Sequence, residues 1–209
     1  MKLVVRLTFE YAGYAMTTPK FISLFFTWIV LTFMACSATT KKAKQVAITN
    51  LDTSYSTSTK QLKSNKIPDS VFRMTKLRHL AISGMDCDYG DKTNCWDINE
   101  IPAGLKNLKD LKTLRLTVDA IASIPLELTE LKNLKLFDLS DNAGLTSFDN
   151  IAKCQSLEYL YLYGCGLTKL PDNIGDLKNL KELGLVGNNL DNTERTRITK
   201  ALPNCIIKF

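Results

Sequence analysis

The 209-residue chain has a single histidine, His79, and none of the glycine-rich, phosphate-loop or HExxH patterns that mark nucleotide or zinc chemistry. No serine or cysteine in a nucleophile pattern accompanies His79. No recognisable catalytic constellation therefore surrounds His79, and the expectation is a non-enzyme without cofactor or metal. Long apolar runs are also missing. The longest, Phe21–Ala35, has fifteen residues, whereas a bilayer-spanning helix needs about 20. There is no Asn-x-Ser/Thr acceptor, which leans away from a eukaryotic secreted protein. Nor does the bulk of the chain carry an excess of one charge. Residues 67–209 hold 18 Lys and Arg against 19 Asp and Glu, so a basic face on a folded module, and with it nucleic-acid binding, is not expected.

The +6 net charge arises earlier in the chain. Residues 36–66 carry Lys41, Lys42, Lys44, Lys60, Lys63 and Lys66 against Asp52 alone. Residues 37–66 are Ser/Thr/Lys-rich and too poor in large apolar groups to offset their ordering entropy, which reads as a flexible tether. Val46, Ile48 and Leu51 hint at one short strand at its far end, a candidate N-terminal cap. Phe21–Ala35, with Lys20 in front, has the length of a signal-peptide core. Its end, Ala35-Cys36, resembles the lipobox of bacterial lipoproteins, although Phe33 and Met34 are bulkier than the residues usual there. The resemblance implies cleavage before Cys36, lipidation of that cysteine, and attachment to a membrane of a bacterial envelope. An uncleaved signal anchor or cleavage near Ala38 are the alternatives. Glu10 is out of place in a leader, and a start at Met16 gives a better-formed one. The expected organisation is a leader over 1–36, a tether over 37–66 and a folded domain over 67–209.

That domain repeats. Segments of the form LxxLxL open at Leu77, Leu111, Leu134, Leu157 and Leu180, at intervals of 34, 23, 23 and 23 residues, with a truncated copy at Leu202. A second half repeats with them: IPDSVFRM, IPAGLKNL, IPLELTEL, FDNIAKC and LPDNIGDL. The LxL alternation gives a short strand with leucines inward, while the IPxxLxxL half has roughly helical spacing. One unit cannot bury its own leucines, so neighbours must stack and share a core. The pattern resembles the leucine-rich repeat family, in a 23-residue subtype with a Leu/Ile-Pro opening, over about 67–209. This implies an α/β solenoid of five full repeats and a C-terminal half-repeat cap, with parallel strands on the concave face. It also implies a column of asparagines (Asn142, Asn188, with Asp119 substituting) bridging adjacent turns. Cys165 and Met85 interrupt that column. Polar, helix-forming Asp191–Ala201 should seal the last repeat.

The first repeat is longer than the others, and the excess, between Met85 and Glu100, holds Cys87, Cys95, Trp96 and four aspartates (Asp86, Asp88, Asp91, Asp97). The aspartates do not match the twelve-residue calcium loop and read as a solvated acidic surface. Cys87 and Cys95 flank a short polar loop in a chain read as exported, so a disulfide between them is expected. Cys154 stands where other repeats have Leu108, Leu131 and Leu177, and Cys205 is read as filling a strand leucine position; both are taken as small buried apolar residues.

Function should lie on the outward strand residues. They form three rows: His79, Thr113, Leu136, Tyr159, Glu182; then Ala81, Arg115, Asp138, Tyr161, Gly184; then Ser83, Thr117, Ser140, Tyr163, Val186. Tyr159, Tyr161 and Tyr163 share one strand beside Leu136, with Arg115 and Asp138 adjacent. Tyrosine gives large contact area at low rotamer entropy. The expectation is a monomeric recognition module binding a protein through this face. A glycan ligand, or a scaffold role for a catalytic partner, are the alternatives.

Overall fold

The computed structural model describes residues 53–84 and 96–209. Cys36, Cys87, Cys95, Met85 and three of the four loop aspartates lie outside the described residues. Seven parallel strands form one sheet in sequence order: β1 Ser54–Ser58, β2 His79–Ser83, β3 Thr113–Thr117, β4 Leu136–Asp138, β5 Tyr159–Tyr161, β6 Glu182–Gly184 and β7 Ile206–Lys208. Inward residues of neighbouring strands stack in register, Leu114 against Phe137 and Leu160 against Leu183. All ten inward residues of the five complete repeats, from Leu80 to Leu185, are at most 1% exposed. Alternation of the LxL type thus becomes a continuous apolar stack, each repeat burying its leucines on its neighbours.

The return half of each repeat is tighter than an α-helix. Five 3₁₀ turns, Val71–Arg73, Ala103–Asn107, Leu126–Glu130, Asp149–Lys153 and Ile174–Asp176, carry the chain back. A 3₁₀ turn rises about 2.0 Å per residue rather than 1.5 Å, so it crosses the solenoid in fewer residues. Pro102 and Pro125 open two of them from extended backbone. Cys154 ends the fourth turn, 4% exposed, in the place held elsewhere by Leu108, Leu131 and Leu177.

Two expectations about the ends need correction. The sheet begins inside the segment read as tether: β1 pairs along its whole length with β2, from Ser54 opposite His79 to Ser58 opposite Ser83. Its inward residues are Tyr55 and Thr57 rather than leucines, so it carries no LxL signature, yet Tyr55 packs on the core and covers the edge of β2. A single turn, α1 Thr59–Leu62, follows, capped by the Ser58 hydroxyl accepting from the Gln61 N–H. At the other end, Cys205 packs against the core only partly buried and does not fill a strand leucine position. Ile206 pairs with Glu182 and Ile207 with Leu183, so Ile207 is the inward residue and the half-exposed Cys205 lies one position before the strand.

The C-terminal cap forms as the polar segment indicates. Helix α2 Asn192–Ala201 starts from Asp191, whose carboxylate accepts from the Glu194 N–H at 2.7 Å. It buries Ile198 and is fastened to the preceding repeat through Glu194, which accepts from the Leu170 N–H at 2.8 Å and pairs with Arg197 at 2.6 Å. Among the described residues no helix is long and apolar enough to cross a membrane.

Candidate functional site: the outward strand face

Strand pairing fixes the rows. His79, Thr113, Leu136, Tyr159 and Glu182 are consecutive register partners, as are Ala81, Arg115, Asp138, Tyr161 and Gly184. The terminal strands lengthen both rows, with Ser54 and Ser56 at one end and Ile206 and Lys208 at the other. The third row continues beyond the regular strands through backbone hydrogen bonds from Val118 to Ser140 and from Asp141 to Tyr163.

The face divides in two. Over β1–β3 its outward groups are Ser54, Ser56, Ala81, Ser83, Thr113 and Thr117, with exposed His79 and Arg115 among them. Over β4–β7 they are Leu136, the three tyrosines, Asp138, Glu182 and Lys208. His79 therefore does not join the tyrosines, since β3 and β4 separate it from β5. Three strand spacings of about 4.8 Å amount to roughly 14 Å. Arg115 and Asp138 approach only loosely, Nε to Oδ2 at 3.8 Å. Asp138 is held more firmly by its own turn, accepting from the Ser140 hydroxyl at 2.7 Å and the Ser140 N–H at 3.1 Å.

The tyrosine strand is ordered by its neighbours. Tyr159, Tyr161 and Tyr163 are each half-buried. The rings of Tyr161 and Tyr163 stack, centroids 5.5 Å apart at 16°. Tyr163 leans over the next strand and lies on Gly184, where even a Cβ would collide with its ring. Glycine at that position is thus a seat for an aromatic ring. Beside Tyr161 stands Glu182, which pairs with Lys208 at 2.7 Å. Partial burial raises the Tyr161 hydroxyl above the usual tyrosine range, and the Glu182 carboxylate adds to this. Lys208 holds Glu182 below the usual carboxylate range. The result is a pre-positioned aromatic platform bordered by a carboxylate–ammonium pair. Glu182 was placed in the first row by spacing alone. Lys208 was missed, because the truncated copy opening at Leu202 sets the seventh strand two residues out of register.

Among the described residues no group of histidines, cysteines or carboxylates could hold a metal ion. Burial pushes the Cys154 thiol up to about 12 and Cys205 up to about 11, so neither supplies a thiolate nucleophile near neutral pH.

Comparison with known proteins agrees with this geometry. The Leucine Rich Repeat family profile matches residues 156–177, the repeat that bears the tyrosines. A leucine-rich repeat protein of Leptospira interrogans superposes with TM-score 0.56 at 30% identity, covering 69% of this chain and 34% of that one. The leucine-rich repeat domain of the type III effector XopL superposes at 0.53 with 25% identity, covering 69% of this chain and 56% of that one. Among curated proteins, the disease resistance-like protein DSC1 of Arabidopsis thaliana is 35% identical over 92 residues, 42% of this chain and 8% of that protein. The volume-regulated anion channel subunit LRRC8B of Mus musculus is 36% identical over 104 residues, 48% of this chain and 13% of that protein. The chain thus spans only a small part of these relatives. Repeat period, strand register, profile and structural likeness converge: the chain carries a leucine-rich repeat solenoid.

Proposed function

We propose that this chain is a non-enzymatic recognition module that binds a protein partner through the outward face of β4–β7 and is held at a bacterial membrane through Cys36. A leucine-rich repeat solenoid is a protein-interaction scaffold. The observation that carries the finer reading is the stacked Tyr161–Tyr163 pair seated on Gly184, beside Tyr159 and half-buried Leu136. Ordering these rings in the free protein removes part of the entropy cost that binding would otherwise incur, and aromatic clusters of this kind dominate interface energetics. Tyr161→Ala should weaken partner capture about thirtyfold, some 2 kcal/mol. Undiminished capture by that variant would remove the tyrosine strand from the interface. A glycan partner would show itself instead by competition from soluble oligosaccharides. Membrane attachment rests on the apolar run ending at Ala35-Cys36. Cys36→Ala should release the protein into the soluble fraction, whereas retention on membranes with the leader uncleaved would establish a signal anchor.

A further inference from the structure

The near-neutral total of residues 67–209 hides a segregation of charge, and the expectation that this domain lacks a basic face is corrected by its topology. The five turns that lead from the 3₁₀ segments into the strands (73–78, 106–112, 130–135, 153–158 and 176–181) carry eleven Lys and Arg against four Asp and Glu. The rest of residues 67–209 carries seven against fifteen. Backbone hydrogen bonds place these turns side by side. The N–H groups of Lys112, Lys135, Glu158 and Lys181 donate in succession to the carbonyls of Arg78, Lys112, Lys135 and Glu158, each at 2.8 Å. Side chains tie them again, with Asn133 donating to the Lys109 carbonyl at 2.9 Å and Asn179 to that of Gln155 at 2.8 Å.

Three of the five turns repeat one pattern: LKDLK, LKNLK and LKNLK. It sets Lys109, Lys132 and Lys178 three residues before Lys112, Lys135 and Lys181, and all six are exposed. Three of the four acids pair with these cations and only thin the field. Glu130 pairs with Lys109 at 2.9 Å, Asp110 with Lys76 at 3.5 Å, and Glu158 is shared by Lys135 at 3.0 Å and Lys181 at 2.6 Å. Adjacent turns are about 4.8 Å apart, well inside a Debye length of about 8 Å, so the amines act as one positive surface.

We propose that this flank docks on an anionic lipid bilayer, a proposal that rests on the membrane attachment argued above. Its chemistry selects that occupant. Nine of the eleven cations are lysines, which are hydrated point charges on flexible stems rather than the planar forks that read phosphates or bases bidentately. No aromatic residue occurs in the five turns, so stacking on single-stranded nucleic acid is absent there. An anionic leaflet asks only for positive charge near its surface, at about 1 kcal/mol per Lys or Arg. The upstream apolar run and the lysines of 36–66 direct the same chain to such a surface. Docking by the turns leaves the outward strand face, with its tyrosines, open to a partner.

The test is co-sedimentation of the full chain with vesicles of phosphatidylcholine alone and of phosphatidylcholine with about a third phosphatidylglycerol, at low and high salt. The wild type should partition at least about tenfold more strongly onto the anionic vesicles, with the difference lost in high salt. Replacing Lys109→Gln, Lys132→Gln and Lys178→Gln together should cut anionic partitioning about tenfold or more without changing the melting temperature, and arginine at the same positions should retain it. Unchanged anionic partitioning by the glutamine variant overturns the proposal, because the attraction then belongs to residues 36–66. Release from anionic vesicles by competing duplex DNA at equal phosphate overturns it in favour of nucleic acid. Partitioning onto the neutral vesicles reports the N-terminal segment alone, so failure of the membrane-attachment reading appears there and not in the anionic increment.

Discussion

At the scale of single residues, the turn after each strand shows what the solenoid demands and where this chain departs from it. Asn142, fully buried, donates to the carbonyls of Leu116 and Leu139 at 2.8 Å each and accepts from the Ile121 N–H at 3.0 Å. Asn188 repeats the arrangement with Leu162, Leu185 and Leu167. Cys165, read as a break in this column, still donates its thiol to the Leu139 carbonyl at 3.3 Å, so the ladder thins there without ending. Asp119 is the real departure. One oxygen accepts from the Ile98 N–H at 3.0 Å, while the other is buried with no partner among the described residues. An amide would donate from that position, and an ionised carboxylate cannot. Burial therefore pushes its carboxyl from the ordinary 3.8 up to about 7, opposed by the Ile98 hydrogen bond and reinforced by Asp97. A carboxyl whose pKa is raised on folding stabilises most below its unfolded value, so this contribution is lost as pH rises from about 4 to about 7. Asp119→Asn should remove that slope and stabilise the domain by about 1–3 kcal/mol at pH 8 by completing the bond. Thermal melts of both proteins between pH 4 and 8 check this, and parallel curves would contradict it.

Elements differ in how plainly the sequence announces them. Strands β2–β6 were legible because their inward residues are leucine, isoleucine or phenylalanine at fixed spacing, and one set of contacts satisfies every copy. Strand β1 was not, since Tyr55 and Thr57 do its packing and its outward serines resemble linker. The 3₁₀ turns were read as loosely helical because apolar spacing cannot separate a tight turn from an α-helix over so few residues. The cap helix was legible through Asp191 and its polar run, but its fastening was not. Glu194 and Arg197 reach back to Leu170, more than twenty residues earlier, with Arg197 donating to the Leu170 carbonyl at 2.8 Å. Arg197 holds the Glu194 carboxylate below the usual glutamate range. This stabilisation is therefore present at neutral pH and lost as pH falls through that lowered value. Glu194→Ala strands the Leu170 N–H and removes a partly exposed ion pair, so it should cost about 1–3 kcal/mol. Hydrogen exchange should localise the loss to α2 and β7, and a uniform effect over all repeats would refute such local fastening.

Over the whole molecule, the same repeat that builds the core also sorts the surface. Inward positions are apolar, and outward positions form the face proposed above for recognition. The turns between carry most of the positive charge, in columns that a summed net charge conceals. The three rows were legible because strand alternation fixes them once the register is known. The seat of Tyr163 on Gly184 and the approach of Lys208 to Glu182 were not, because they depend on how side chains lean across neighbouring strands. The central claim is that Leu160 and Tyr161, adjacent in sequence, serve opposite sides of the sheet. The measurement that tests it most directly is the thermal unfolding of the two alanine variants side by side. Leu160→Ala leaves a cavity in a fully buried stack and should cost about 2–5 kcal/mol, lowering the melting temperature by about 5 °C or more. Tyr161→Ala removes one stacked ring and a hydroxyl from a partly exposed surface, so it should cost about 1 kcal/mol. A melting temperature for Tyr161→Ala as low as that of Leu160→Ala would contradict the account, because the tyrosines would then be packing residues.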